Sequence, residues 1–322
     1  MRLAAAAPTA ILLAAAGCPG QSLAAARQQL REDLEEVHFA QSLLGLVLMS
    51  DELELSGASY SIDDDASTDL TVMAMPFHRE LIPFGKSAPS LWIEGTLGFA
   101  EARQRLADLW GGELPGNETS IASRWRTYGA LVGLGLEFRV TDEVTVAPVV
   151  DVALAHIEND SRYGGPGAAL TASLVDGIAF NWDALAATYG TAARARWQRP
   201  LGEQHRLEVV GRYDVRWTET IAEDDPAQDF VARSQLVTLH GDLFGPTGVT
   251  RHERPVEWQL SAALRAFPEG DLFGVDHYVQ VGAGLVVPTG DDLPIGNGFA
   301  ISAAIMWGED LFGWSVGGRL LF

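Results

Sequence analysis

The chain has almost none of several things that usually organise a protein. Among 322 residues there is one cysteine, Cys18, and one lysine, Lys86. A single cysteine rules out an intrachain disulfide framework. Basic residues number 22 against 43 acidic ones, a formal net charge of −21 that excludes a phosphate backbone as partner, so no nucleic-acid role is expected. Beyond the first 26 residues no stretch approaches the roughly 18 apolar residues that a membrane-crossing helix requires. Yet 47% of the residues are hydrophobic. They are dispersed among polar residues, and that dispersal carries the information.

Residues 1–26 have the layout of a secretory leader: Arg2, an apolar run from Ala10 to Ala16, and the small-residue site Ala24-Ala25-Ala26, with cleavage expected before Arg27. Cys18 has two readings. It is discarded with the leader, or it is lipidated within Ala15-Ala16-Gly17-Cys18, a weak lipobox without the usual leucine. In the first case the mature chain is free of cysteine, which suits an oxidising compartment and removes thiolate chemistry.

The body of the chain alternates with period two, the mark of strands with two unlike faces. Over 206–217, Leu207, Val209, Tyr213, Val215 and Trp217 share one parity with Gly211, while Arg206, Glu208, Arg212, Asp214 and Arg216 share the other. Val279, Val281, Ala283 and Leu285 likewise oppose Tyr278, Gln280, Gly282 and Gly284. The spacing predicts strands near 53–62, 68–78, 89–101, 123–138, 142–156, 187–199, 203–218, 230–243, 255–267, 276–288, 297–308 and 312–322, of which 230–243 alternates poorly. Connections 139–141 and 200–202 are short, whereas 102–122, 157–186 and 219–229 are long. This is the asymmetry of a barrel with short periplasmic turns and long outer loops. The connection 244–254 is longer than that scheme prefers.

These features define an all-β fold: a transmembrane antiparallel β-barrel of about twelve strands over 53–322, preceded by a short N-terminal helix within 27–52. Apolar parity faces lipid and charged parity faces a lumen. The expected lumen-lining charges are Arg194, Arg196, Arg206, Glu208, Arg212, Asp214, Arg216, Glu257 and Arg265. The segment 27–49 does not alternate. Its acidic first half, with Glu32, Asp33, Glu35 and Glu36, suits either a periplasmic helix lying against the barrel mouth or a plug complementing the lumenal arginines.

The chain ends Ser315-Val316-Gly317-Gly318-Arg319-Leu320-Leu321-Phe322. Gly317, then Leu320 and Phe322 at the third-last and last positions, resemble the closing-strand signal read by the insertion machinery of bacterial outer-membrane barrels. A helix, about twelve strands and a terminal Phe together resemble an autotransporter translocator domain. The segment ahead of the barrel is about twenty-five residues, too short for a secreted passenger, so the resemblance is to the family of solitary autotransporter-like barrels. It implies an outer-membrane protein of structural or narrow-pore role, in contact with lipid, lipopolysaccharide and the insertion machinery, and monomeric.

No catalytic pattern competes strongly. A surface-exposed barrel enzyme is the alternative. A phospholipase-like site needs a Ser and a His together on the lipid-facing side near the outer leaflet. His156 and His277 have outward parity, but neither has a Ser two residues away on its face. A protease-like site needs paired carboxylates and a His on outer loops, and the acidic runs Asp63-Asp64-Asp65, Glu223-Asp224-Asp225 and Glu309-Asp310 have no nearby His. Gly164-Gly165-Pro166-Gly167 lacks the Lys-Ser/Thr of a phosphate loop and reads as a turn. No metal, cofactor or enzymatic activity is expected.

Overall fold

A computed structural model describes residues 23–34, 55–62, 68–83, 89–106, 119–223, 225–269, 275–289, 298–309 and 311–321. Helix α1 spans Leu23–Leu34. The strands are β1 Leu55–Ile62, β2 Thr68–Ile82, β3 Ser90–Leu106, β4 Ser120–Arg139 and β5 Val144–Gly164. After helix α2, Ala168–Val175, come β6 Asp183–Leu201, β7 His205–Glu223, β8 Val231–Arg251 and β9 Arg254–Glu269. The last three are β10 His277–Pro288, β11 Gly298–Gly308 and β12 Leu311–Leu321. All twelve expected strands are therefore present.

Each strand pairs antiparallel with its sequence neighbours, and β1 pairs with β12 to close the barrel. At that seam Leu55 lies opposite Gly318 and Ile62 opposite Leu311. Closure follows from the solvent. Lipid supplies no hydrogen-bond partners, so a sheet crosses it only when no edge remains.

The faces fall as the alternation requires. On β5, Val150, Val152 and Leu154 are exposed, whereas Val149, Asp151 and Ala153 between them are buried. On β12, Phe312, Trp314 and Val316 point out, and Ser315 points in and is buried. In a soluble protein the buried set alone would be apolar. Here the outward set is apolar too, because lipid is its solvent.

Three differences from the sequence reading have physical causes. First, β3 and β5 run past 101 and 156 to Leu106 and Gly164. Their extra outward residues are charged, so they resemble loop in a sequence, but above the lipid that face meets water. Second, the connection expected over 244–254 is a two-residue turn, His252-Glu253, both in the left-handed region with φ of 49° and 63°. Pro246 stays in β8 because the β8–β9 register shifts between Pro246 and Thr250; a bulge tolerates a residue that cannot donate to the ladder. Third, α1 begins at Leu23, four residues ahead of the expected cleavage site, instead of at 27. The rest of the expected helical segment, 35–52, lies outside the described residues, as does most of the expected leader, 1–22.

The His252-Glu253 turn places two non-glycine residues where a Cβ crowds the backbone, costing roughly 1 kcal/mol each. Replacing the pair by Asn-Gly, the preferred composition for such a hairpin, is expected to stabilise the barrel by about 1 kcal/mol. A rise in the urea midpoint of unfolding in detergent micelles would show it.

Candidate pore lumen

The lumen has two storeys of opposite chemistry. The outer storey is apolar. Inward residues from around the wall (Tyr60, Leu70, Ala100, Trp125, Ile157, Tyr278 and Met306 among them) pack against Ala26 and Leu30 of α1 and against Leu174, Val175, Ile178, Phe180 and Trp182. The last five come from the β5–β6 connection. The sequence reading placed that connection outside as a long loop, but its apolar residues are folded into the barrel.

Local sequence explains how. Gly165, with φ of 92°, turns the chain back at the top of β5, and α2 follows. Asn181, with φ of 58°, then ties the return segment to β5. Its Oδ1 accepts from the Ser161 amide at 2.6 Å, and its own amide donates to Asn159 Oδ1 at 2.9 Å. Trp182 meets Trp125 edge-on, with ring centroids 5.3 Å apart.

Helix α1 grips this insertion with arginines. Arg27 donates to the carbonyls of Ser173 at 2.8 Å and Asp176 at 3.0 Å, and so caps the negative end of α2. Arg31 forms a two-pronged pair with Asp225 beyond β7, the shortest N–O distance being 2.7 Å. That carboxylate raises the Arg31 guanidinium above its ordinary pKa, chiefly through the side-chain hydrogen bond. Of the plug candidates, Glu32 and Asp33 fall in the last turn of α1, and Glu35 and Glu36 lie outside the described residues.

The lower storey is charged. Arg212 donates to Asp214 on its own strand, with distances of 3.0–3.1 Å. It also donates to Glu94 at 2.9 and 3.1 Å. Glu94 lies on β3, four strands around the wall from β7, so this pair crosses the lumen. Arg216 bridges Asp214 at 3.0 Å and Asp151 at 3.3 Å. All five side chains are buried. The absence of a side chain at Gly190 makes room for them, since a Cβ there would lie 2.6 Å from Arg216 Cγ and 2.8 Å from Asp151 Oδ1.

Towards the periplasmic end Trp92 is buried, its ring tilted against His78 with centroids 4.4 Å apart and the Arg194 guanidinium 5.8 Å from its ring centre. Its indole lies over Gly135, where any Cβ would collide with the ring. Arg196 pairs with Glu208 at 2.6 Å, and Arg206 lies 3.6 Å from Glu257 and 4.3 Å from the Phe244 ring centre. Arg265 donates to the Tyr278 hydroxyl at 2.6 Å. Beside the Arg212 network a cavity of about 110 Å³ remains, lined by Arg194, Arg212, Arg265 and Arg319 and by Glu94, Glu208 and Asp242. So polar a space suits water and small ions rather than an apolar ligand.

The nine charges expected in the lumen share the inward parity of their strands and fall into several separate contacts. Their partners Glu94 and Asp151 were not singled out from the sequence. Parity alone put Asp151 on the inner face, but pairing across the barrel depends on curvature, which alternation does not encode. Gly317 lines the same cavity. The side chain of Leu320, and Phe322 altogether, lie outside the described residues. His156 faces outward in register with Tyr128, away from the lumen. Among the described residues no group of three or more His, Cys, Asp or Glu could hold a metal ion.

A closed twelve-strand antiparallel barrel with lipid-facing apolar parity and a lumen occupied by an N-terminal helix defines a bacterial outer-membrane protein of the autotransporter-translocator class. The sequence model of the solitary outer membrane autotransporter beta-barrel domain matches residues 57–317, and the chain belongs to that family. Among solved structures it is similar to the transport unit of the autotransporter AIDA-I from Escherichia coli. That match has 8% identity, a TM-score of 0.52, and covers 89% of this chain and 99% of that one. The translocator domain of NalP from Neisseria meningitidis matches at 11% identity and TM-score 0.48, covering 84% and 90%. The beta domain of the Bordetella autotransporter BrkA matches at 14% and 0.46, covering 84% and 97%. At such identities the likeness speaks to fold. No curated protein sequence matches.

Removing one member of a buried ion network strands the others. Arg212→Ala is expected to destabilise the barrel by on the order of 3 kcal/mol, whereas Arg206→Ala, at the half-exposed Glu257 pair, changes stability by less than about 1 kcal/mol. Urea titration of both variants against the parent barrel checks the contrast.

Proposed function

We propose that this barrel is a narrow outer-membrane pore held shut from within, and that it carries no catalytic activity. The observation that supports this most is the Arg212–Glu94 pair, which joins β7 to β3, four strands away, across the lumen. The apolar outer storey adds to it, since an ion entering there would lose its hydration with nothing to replace it. Where water does penetrate, arginines outnumber carboxylates around the inner cavity. An opened form is therefore a mild anion conductor. In this reading the barrel acts as a monomer, inserted through the signal formed in the sequence by Gly317, Leu320 and Phe322.

Conductance in planar bilayers tests the reading. The full chain is expected to give rare, small openings. Deleting 27–49 removes Arg27, Leu30 and Arg31 from the outer storey and should increase single-channel conductance several-fold; an unchanged trace argues against the plug. Reversal potentials in a salt gradient should show weak anion preference in the deletion variant, and clear cation selectivity would contradict the role given to the arginine wall. Turnover of lipid or peptide by the refolded protein would favour the enzymatic alternative.

A further inference from the structure

The outward face near the outer end of β2 to β5 carries an arrangement that the pore reading does not use. Pairing places Met73, Phe99, Tyr128 and His156 in one outward row, with the Phe99 and Tyr128 rings 5.2 Å apart. Such a row marks the boundary of the lipid band. Immediately above lies the row Thr71, Glu101, Arg126, Glu158, then Asp69, Arg103, Arg124, Asp160, then Arg105, Ala122, Arg162. Five arginines therefore stand on the outside of the barrel, just above its aromatic edge.

They are not equally engaged. Glu101 draws in Arg103 at 2.6 Å, Arg126 at 3.3 Å and Arg124 at 3.9 Å, and Arg126 also reaches Glu158. Among the described residues Arg105 and Arg162 have no carboxylate partner, and both are exposed. They flank Ala122 on adjacent strands, so nothing bulky separates them. A groove of about 420 Å³ opens there, lined by Arg103, Arg105, Arg124 and Arg162 against Asp69 and Asp160.

In a chain of net charge −21 this groove is a local reversal of sign. Its height selects the anion, because side chains directly above the aromatic row meet lipid head groups of the outer leaflet. Its composition agrees: guanidinium groups bind phosphate oxygens in two-pronged fashion, and their stems pack along apolar surface. We propose that this groove binds the phosphorylated sugar head group of lipopolysaccharide, with Arg105 and Arg162 gripping one phosphate and Arg103 and Arg124 forming the floor.

The test uses the full chain in detergent micelles, with purified lipopolysaccharide and the same material after dephosphorylation as probes. Arg105→Gln with Arg162→Gln is expected to weaken binding of the phosphorylated form about tenfold. Binding of the dephosphorylated form should be weak and the same in both proteins. The pair Arg105→Lys and Arg162→Lys, which keeps the charge, should retain most of the affinity. Arg199→Gln, an outward arginine near the opposite end of β6, should change nothing. Gel migration of boiled against unboiled samples shows that each variant is folded. Equal binding by the glutamine variant and the parent overturns the proposal. So does equal affinity of the parent for the two lipopolysaccharide forms, or complete displacement by millimolar inorganic phosphate, which would assign the groove to free phosphate.

Discussion

The structure depends on one requirement: every backbone N–H and C=O that enters hydrocarbon needs a partner within the protein. The ladder between β1 and β12 meets it by joining the ends of the sheet. Once the sheet is closed, strand parity sorts residues between lipid and lumen, and a slip of one residue would reverse the faces. The apolar exterior, the charged lower lumen and the inward folding of the β5–β6 connection all presuppose that fixed register.

A barrel of this size encloses more space than its wall residues can fill, and the two storeys fill it differently. In the outer one, α1 and the segment from α2 to Trp182 provide a small apolar core of the kind found in soluble proteins. In the lower one, long charged side chains reach between strands and pair with each other. A buried ion network is costly unless every group in it is satisfied. Here two arginines share three carboxylates, so each charge has a partner at hydrogen-bonding distance. The two fillings meet the same need for closure, one through apolar burial and the other through geometry.

The sequence revealed the wall better than the filling. Alternation on β7 and β10 is clean because one face meets lipid and the other meets charge or glycine. The poor alternation of β8 now has a cause: its inward Ala232 and Leu236 are buried in the lumen while Arg233 and Gln235 hold the outward parity beside them, so the pattern reverses there. The turn at His252-Glu253 was hidden by Gly245-Pro246-Thr247-Gly248, which resembles a loop but belongs to a strand. The inserted segment left a trace in the spacing of Ile178, Phe180 and Trp182, three large apolar residues in a stretch expected to face water. Glu94 gave no such sign. Its inward parity was readable, but its partner lies 118 residues away, four strands along the sheet, and only the curvature of the wall brings the two together.

Strands β2 to β9 are longer than a bilayer requires. At about 3.3 Å per residue and a tilt near 40°, the twenty-one residues of β5 rise roughly 50 Å, about twice the height of the lipid-facing band. The charged rows place that excess at the outer end. The outer end of the long strands, where α1 and α2 pack into the lumen, therefore stands well clear of the hydrocarbon. The barrel thus continues as a protein-walled vestibule beyond the bilayer, so size and hydration act on a solute there before it reaches the depth of the lipid.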